Sequence, residues 1–402
     1  MGCHDIMTAA KIKVLHIIRD LEIGGAQEVV RTLVKYLASH NCLPVVCTFK
    51  DGPLRYEIER MGIRVEILAP VCHRFVFLPG FIADMVRIWR SLAGLVKRHD
   101  IDIIQTHLLR TLDFLILLIK YTTPVRAVLW TFHSAEFELD ESQLSKHKWL
   151  LKPKNFIHRL LYRYTSGLAS GFIAVSSEVK KAMIHTIGPI QDKITVIHNG
   201  VDLQRYGRAV DKSMVRRILG LSADAWVIAV LAILKEEKGH RYLLEAMRSV
   251  TSRYGDVHVL LIGSGPLRDE LQKYVEHLNM EDKVHFLGNR RDVPELLAAS
   301  DLFVLPSLWE GLSMALLEAM ASAKPIVATA VSGTTQVLVA KETGLIVPPR
   351  NSSELSKAIV QLLSNPEQAQ KMGQTAKRRV ETSYSAHKQA EKYLVLYNSL
   401  LT

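Results

Sequence analysis

A chain of 402 residues, 48% hydrophobic and 23% charged with 22 Gly and 14 Pro, is too long for one small domain. Its composition is too ordinary for a disordered, collagen-like or disulfide-dense chain. The net charge of +11, from 51 Lys+Arg against 40 Asp+Glu, points to an anionic partner: nucleic acid, a membrane surface or a phosphorylated substrate. Most of that excess precedes Asn199, where 26 basic residues face 18 acidic ones. Cys3, Cys42, Cys47 and Cys72 form neither a Cys-x-x-Cys pair nor a Cys/His ligand spacing, so structural zinc and a disulfide framework are set aside.

Taken in chain order, the N-terminus lacks the apolar stretch of a signal peptide, and Ile6 stands where a myristoylation site wants Ser or Thr. Short β-branched runs then alternate with helix-period segments, as βαβ units around a parallel sheet require. Strands are predicted over 13–18, 44–49, 65–68, 101–106, 127–132 and 171–175, and helices over 26–39, 54–61, 82–97, 156–165 and 178–185. The most lipid-like run, 114–119, is far short of the roughly 20 residues a bilayer crossing needs, so the expected location is cytoplasmic, at most peripheral at the inner face of the membrane. Residues 146–163 are where an anionic membrane surface would be met. Lys146, Lys148, Lys152, Lys154, Arg159 and Arg163 alternate there with apolar side chains and no acid, a composition shared by helices lying on lipid and by solvated basic faces.

Asn199-Gly200 marks a turn, after which strands recur over 226–231, 257–262, 283–286, 302–305, 325–328 and 345–347. This count predicts an α/β chain of two Rossmann-like, doubly wound domains, 11–198 and 199–375, hinged within 198–212. A helical segment, 376–402, is expected to pack back toward the first domain. Open parallel sheets bind ligands at the carboxyl ends of their strands, so two such domains facing each other place a ligand in the cleft between them.

The richest of those strand ends is 302–321, an apolar strand followed by Pro306-Ser307 and then Glu310-Gly-Leu-Ser-Met-Ala-Leu-Leu-Glu318. A helix starting near Leu312 leaves backbone amides at its N-terminus, which suit a diphosphate. Two carboxylates beside a phosphate site accept hydrogen bonds from neutral hydroxyls more readily than they tolerate the anion, so a sugar nucleotide satisfies both. Taken alone, the segment reads more readily as an amphipathic helix with one capping and one solvated Glu.

The spacing resembles the Glu-x7-Glu signature of the retaining glycosyltransferases of family 4, which have the two-domain GT-B architecture. The resemblance extends through Gly24-Gly25-Ala26-Gln27, Asp102-Ile-Ile-Gln-Thr-His107, Thr131-Phe-His133, Ala174-Val-Ser176-Ser177, Val196-Ile-His-Asn-Gly-Val-Asp202, Lys238-Gly239, Leu261-Ile-Gly-Ser-Gly-Pro266, Phe286-Leu-Gly288 and Thr343-Gly-Leu-Ile-Val-Pro348. It implies that Glu318 holds the nucleotide ribose, that Glu310 holds the hydroxyls of the transferred sugar, and that the Leu312 and Ser313 amides hold the diphosphate. Lys238 would meet the charge that develops on the leaving group, and His133 would bond the donor sugar, with His107 a weaker case of the same kind. Gly24, Gly25 and Gly288 would let the donor approach the backbone. The expected donor is a nucleoside-diphosphate sugar, UDP-sugar ahead of GDP-sugar, and the acceptor is a saccharide or lipid-linked precursor. No metal, separate cofactor or nucleic acid is expected, and retention would proceed by front-face displacement.

Two departures qualify the match: Ile233 stands where relatives carry an Arg for the diphosphate, and Gln336 replaces a usual Glu. Separately, Arg268 occupies the third glycine position of a dinucleotide fingerprint begun by Gly263 and Gly265, which argues against NAD. A nucleotide-sugar epimerase shares the architecture but not the Glu-x7-Glu set. Ile233 motivates the non-enzyme alternative, a chain that binds a nucleotide sugar or a partner without turnover.

Overall fold

The computed structural model describes residues 11–69, 79–107, 109, 111–134, 151–188 and 190–402. It forms two compact units, one running to His198 and taking in His387–Thr402, the other Asn199–Ala386. In the first, β1 (Ile12–Ile18), α1 (Gly25–Ala38), β2 (Cys42–Thr48), α2 (Leu54–Arg60), β3 (Arg64–Ile67), α3 (Pro79–His99) and β4 (Ile103–His107) are followed by α4 (Thr111–Thr122), β5 (Ala127–Phe132), α5 (Leu151–Thr165), β6 (Gly171–Ala174), α6 (Ser177–Ile187) and β7 (Ile194–Val196). The sheet order is β3-β2-β1-β4-β5-β6-β7, every neighbour parallel.

The second unit runs α7 (Leu203–Tyr206), α8 (Lys212–Ile218), β8 (Trp226–Leu231), α9 (His240–Arg253), β9 (Val257–Ile262), α10 (Arg268–His277), β10 (Val284–Gly288), α11 (Val293–Ala299), β11 (Leu302–Leu305), α12 (Met314–Ala321), β12 (Ile326–Thr329), α13 (Ser332–Val337), β13 (Leu345–Val347), α14 (Ser352–Ser364) and α15 (Pro366–Ser383). Its parallel sheet is ordered β10-β9-β8-β11-β12-β13. Strand order reverses between β1 and β4 in one sheet and between β8 and β11 in the other. Consecutive crossovers there leave to opposite faces, and a crevice opens at the strands' carboxyl ends.

The fold is two Rossmann-like α/β units. The elements differ from expectation chiefly at α4, where the apolar run read as lipid-like is a helix of the first unit. Of the segment expected to return from residue 376, α15 stays with the second unit and only His387–Thr402 joins the first. The two crossings between the units lie side by side: a Cβ on Gly200 would sit 2.7 Å from the Ala386 Cα, and the Val201 amide donates to the Tyr384 carbonyl at 2.9 Å.

One face of the first sheet presents Val14, Ile103, Leu129 and Ile173 to α1 and to the last helix, α16 (Ala386–Leu401), whose Tyr393 and Tyr397 are fully buried. The Tyr397 hydroxyl donates to Gln105 Oε1, and Gln105 Nε2 donates to Thr131 Oγ1 at 2.7 Å, so α16 is tied into the sheet it covers. The opposite face stacks Trp130, Phe132 and Phe172 against Tyr162 and Phe114.

Of the basic segment, residues 146–150 lie outside the described residues, as do Cys3 and Cys72. From residue 156 onward α5 exposes Phe156, Ile157, Leu160, Leu161 and Tyr164, with Tyr162 turned inward. Among the described residues no helix is long and apolar enough to cross a membrane. Tyr397→Ala removes a buried ring and takes the Tyr397 donor from Gln105 Oε1, so urea unfolding of the first unit should show a loss of about 3–5 kcal/mol. Unchanged stability would mean that α16 does not close this core.

Candidate functional site

In the second unit the loops after β8 and β11 meet at the switch point. Gly239 adopts φ 65°, and a Cβ there would lie 2.0 Å from the Pro306 carbonyl oxygen, so only glycine allows this approach. The Leu308 amide donates to the Glu237 carbonyl at 2.8 Å and joins the loops again. Lys238 is thereby placed to donate through Nζ to Glu310 Oε1 at 2.8 Å, and Ser307 Oγ donates to the same oxygen at 2.7 Å. Glu310 is 7% exposed, and the Lys238 ammonium also lies 5.9 Å from the centre of the Trp309 ring.

The helix begins two residues later than Leu312, at Met314, with Ser313 as its N-cap accepting from the Leu316 amide at 3.4 Å. Leu312 and Ser313 thus belong to the turn that leads into α12, and Glu318 lies in the helix's second turn, 7% exposed. Asn199 Nδ2 donates to the Leu312 carbonyl at 3.2 Å, while its buried Oδ1 has no partner among the described residues. Gly333, on α13, would place a Cβ 2.7 Å from the Glu310 carbonyl, so this helix closes the same loop from the far side.

Gly263 and Gly265 have a structural reason, since a Cβ on either would lie 2.1 or 2.4 Å from the Ala232 or Leu234 carbonyl. Gly288, at φ 65°, ends β10 beside Gly263, whose amide donates to the Gly288 carbonyl at 2.8 Å. Ile233 is exposed, and Lys235 reaches Glu237 at 4.0 Å, so its charge is answered within its own loop. Arg268 lies against Phe286, its guanidinium 5.8 Å from the ring centre. Gln336 sits on α13, where its backbone carbonyl accepts from the Tyr384 hydroxyl at 3.2 Å.

In the first unit Gly24 and Gly25 form the turn from β1 into α1. A Cβ on Gly24 would meet only the flexible Gln27 side chain, and one on Gly25 would meet nothing within 4 Å, so packing does not demand glycine at Gly25. His133 follows β5 and is bonded through Nε2 to His107 Nδ1 at 3.1 Å, and His107 Nε2 is bonded to His16 Nδ1 at 3.2 Å. Burial pushes His16 down to about 3 and His133 to about 4, and it lowers His107 well below the usual imidazole range, helped by the flanking rings. All three are neutral near pH 7.

The structure therefore joins Lys238 directly to Glu310 and sets Leu312, Ser313 and Glu318 on the same loop and helix. His133 joins His107, while Gly24, Gly25 and Gly288 stand at other strand ends. Ser307, Asn199 and His16 were not legible as site residues, although Ser307 and Asn199 lie within segments quoted above and His16 lies within the first predicted strand. The sequence holds one Asp-x-Asp tripeptide, Asp100-Ile101-Asp102, but it precedes β4 at the opposite end of the sheet, where the Lys13 amide donates to Asp102 and Lys13 Nζ pairs with Asp100, both at 2.8 Å. Among the described residues no group of three side chains suits a metal ion.

Residues 23–205 match the family described as Glycosyltransferase Family 4, and residues 211–379 match Glycosyl transferases group 1. The chain belongs to the group 1 glycosyltransferases. An Escherichia coli protein named UDP-Gal:alpha-D-GlcNAc-diphosphoundecaprenol alpha-1,3-galactosyltransferase is 25% identical over 395 residues, 97% of each chain. The crystal structure of Anabaena HepE in complex with UDP-glucose matches with a TM-score of 0.80 at 21% identity, over 96% of this chain and 100% of that one. Sucrose-phosphate synthase from Thermosynechococcus elongatus matches at 0.77 and 19% identity, over 97% and 99%. The fold of this glycosyltransferase is GT-B.

The histidines give it an acid-sensitive first unit. Their folded pKa values lie below the unfolded value near 6.5, so the unfolded chain takes up protons first and stability falls as pH drops from about 6.5 toward 4. Each ring contributes up to about 1.4 kcal/mol per pH unit in that window. Urea unfolding at pH 7 and pH 5 should show the loss, and His16→Phe should lose about 2 kcal/mol less between them. Equal losses would mean that His16 titrates as in water.

Proposed function

We propose that this glycosyltransferase moves a sugar from a nucleoside diphosphate, UDP ahead of GDP, to an acceptor hydroxyl with retention of configuration. The observation that carries this reading is the Lys238–Glu310 pair beside the N-terminus of α12. A cation and a helix N-terminus suit a diphosphate, and a buried carboxylate suits neutral hydroxyls. Glu318 is assigned to the ribose and Glu310 to the sugar. Glu310 Oε1 already accepts two hydrogen bonds, which makes it a poor nucleophile and an oriented acceptor.

In this reading the bond from the anomeric carbon to the β-phosphate oxygen breaks. Lys238 and the Leu312 and Ser313 amides stabilise the charge left on the diphosphate without a metal ion. The acceptor oxygen attaches from the same face, and its proton passes to the departing phosphate oxygen. His133 contacts the sugar, and the open space at Gly25 leaves room for ligand against the backbone. UDP is favoured because the Escherichia coli relative is named for UDP-Gal and the Anabaena structure holds UDP-glucose.

The acceptor is assigned to the lipid-linked class. The same relative is named for a diphosphoundecaprenol-linked sugar, and α5 offers an exposed apolar strip, Phe156, Ile157, Leu160, Leu161 and Tyr164, with Arg159 and Arg163 interleaved. Such a helix suits an anionic membrane surface on the inner, cytoplasmic face.

Calorimetric titration of UDP, GDP and ADP in EDTA tests the donor site. UDP should bind, and Glu318→Ala and Lys238→Gln should each weaken it tenfold or more, as loss of a charge-assisted contact requires. Binding of no nucleoside diphosphate by the folded protein would overturn the donor reading. UDP binding with no sugar transfer would favour the alternative raised by Ile233, a nucleotide-sugar binder without turnover. Cosedimentation with vesicles containing phosphatidylglycerol should retain the wild type at low salt and lose Leu160→Ser/Arg163→Glu, whereas equal retention would remove α5 as the contact.

A further inference from the structure

The His16–His107–His133 chain has a direction that its ends decide. Its two hydrogen bonds each run from an Nδ1 to the next ring's Nε2, and the rings lie stacked with centroids 5.5 and 5.3 Å apart. A neutral imidazole has one N–H, so two such bonds in series force all three rings into the same tautomer. Either every ring carries its proton on Nδ1 and the chain donates outward from His16 to His133, or every ring carries it on Nε2 and the chain donates inward.

The inward arrangement leaves an N–H on His16 Nε2. That atom is buried in a residue with no exposure, and it has no partner among the described residues. The outward arrangement leaves only a bare lone pair there and moves the one unpartnered N–H from the sealed interior to the other end of the chain. That N–H is His133 Nδ1, likewise buried and without a partner among the described residues, but on the only one of the three rings that is not fully buried and that stands past the end of β5, where a ligand oxygen can accept it. The face of the sheet holding the chain also carries Gln105 and Thr131, and these satisfy each other and Tyr397.

We infer that His107 and His16 are positioning residues that hold His133 in its Nδ1–H form, so that it meets an oxygen of the transferred sugar as a hydrogen-bond donor and does not act as a base. The inference rests on the assignment of His133 to the sugar. It gives two interior histidines a part in a reaction neither can touch, since each acts only through the next ring.

Long-range proton–nitrogen spectra of the full chain labelled at histidine read the tautomer without any ligand. His16, His107 and His133 should all be Nδ1–H and should not titrate between pH 8 and pH 5.5. His107→Leu should release His133 to a mixture of tautomers. His107→Asn, whose amide still donates toward His133, should keep it Nδ1–H. With UDP-galactose as probe, His107→Leu should lower kcat of donor turnover at least tenfold with donor KM nearly unchanged, and His107→Asn should stay within about threefold of wild type. An Nε2–H signal from His133 in the wild type, or an Asn variant no better than Leu, overturns the relay. Unchanged turnover in His133→Ala, with the tautomers as expected, overturns the sugar contact on which the inference rests.

Discussion

The α-carbon of Gly239 lies against the carbonyl of Pro306, closer than any side chain would permit, and that approach decides what the second unit can present. It brings the loop after β8 onto the loop after β11, at the one place in the sheet where the crossovers diverge. Lys238 and Glu310, remote in sequence, then become neighbours with no freedom to choose other partners. Ser307 completes the arrangement by occupying Glu310 Oε1 from within its own loop. A partly buried ion pair of this kind contributes little net stability, because desolvation offsets the attraction, but removing one partner leaves the other uncompensated. Its role is placement: both charges are fixed before a ligand arrives.

The first unit solves a related problem with neutral groups. Burial keeps three imidazoles uncharged, and parallel register brings their rings into a line from the interior to the end of β5. Gln105, Thr131 and Tyr397 close the polar layer beneath them, so α16 supports the same face that carries the histidines. Both units therefore rely on parallel strands whose carboxyl ends collect residues far apart in the chain. Helices and backbone contacts hold those ends still.

This explains what was legible in the sequence. The strands at 127–132, 226–231, 257–262, 302–305 and 345–347 were readable to the residue, because buried parallel strands are short β-branched runs bounded by turn formers. Helix α4 was not, because its apolar run 114–119 has no polar face to betray a helical period. Glu310 and Glu318 could be picked out because their spacing is local to one loop and helix. The link of Asn199 to Leu312 and the His16–His107–His133 chain could not, because each depends on tertiary register that no local spacing encodes. The start of α12 was misplaced by two residues because Ser313, a capping side chain, outweighs the helix propensity of Leu312.

The pairing of Lys238 with Glu310 also bears on the missing arginine. A diphosphate reaching α12 meets a lysine whose charge is already shared with a buried carboxylate, and Lys235, the next cation along, is engaged by Glu237. Ile233 adds surface but no charge. The attraction left for an anion therefore comes more from the backbone amides before α12 than from free cations, and amides act only at hydrogen-bond range. On the proposed reading, a donor held in this way would be selected by fit in the turn Leu312–Ser313 as much as by its charge. On the proposed assignment the same limit would make Glu318 and Glu310 matter more, because their hydroxyl contacts would have to supply the affinity that a second guanidinium would otherwise give.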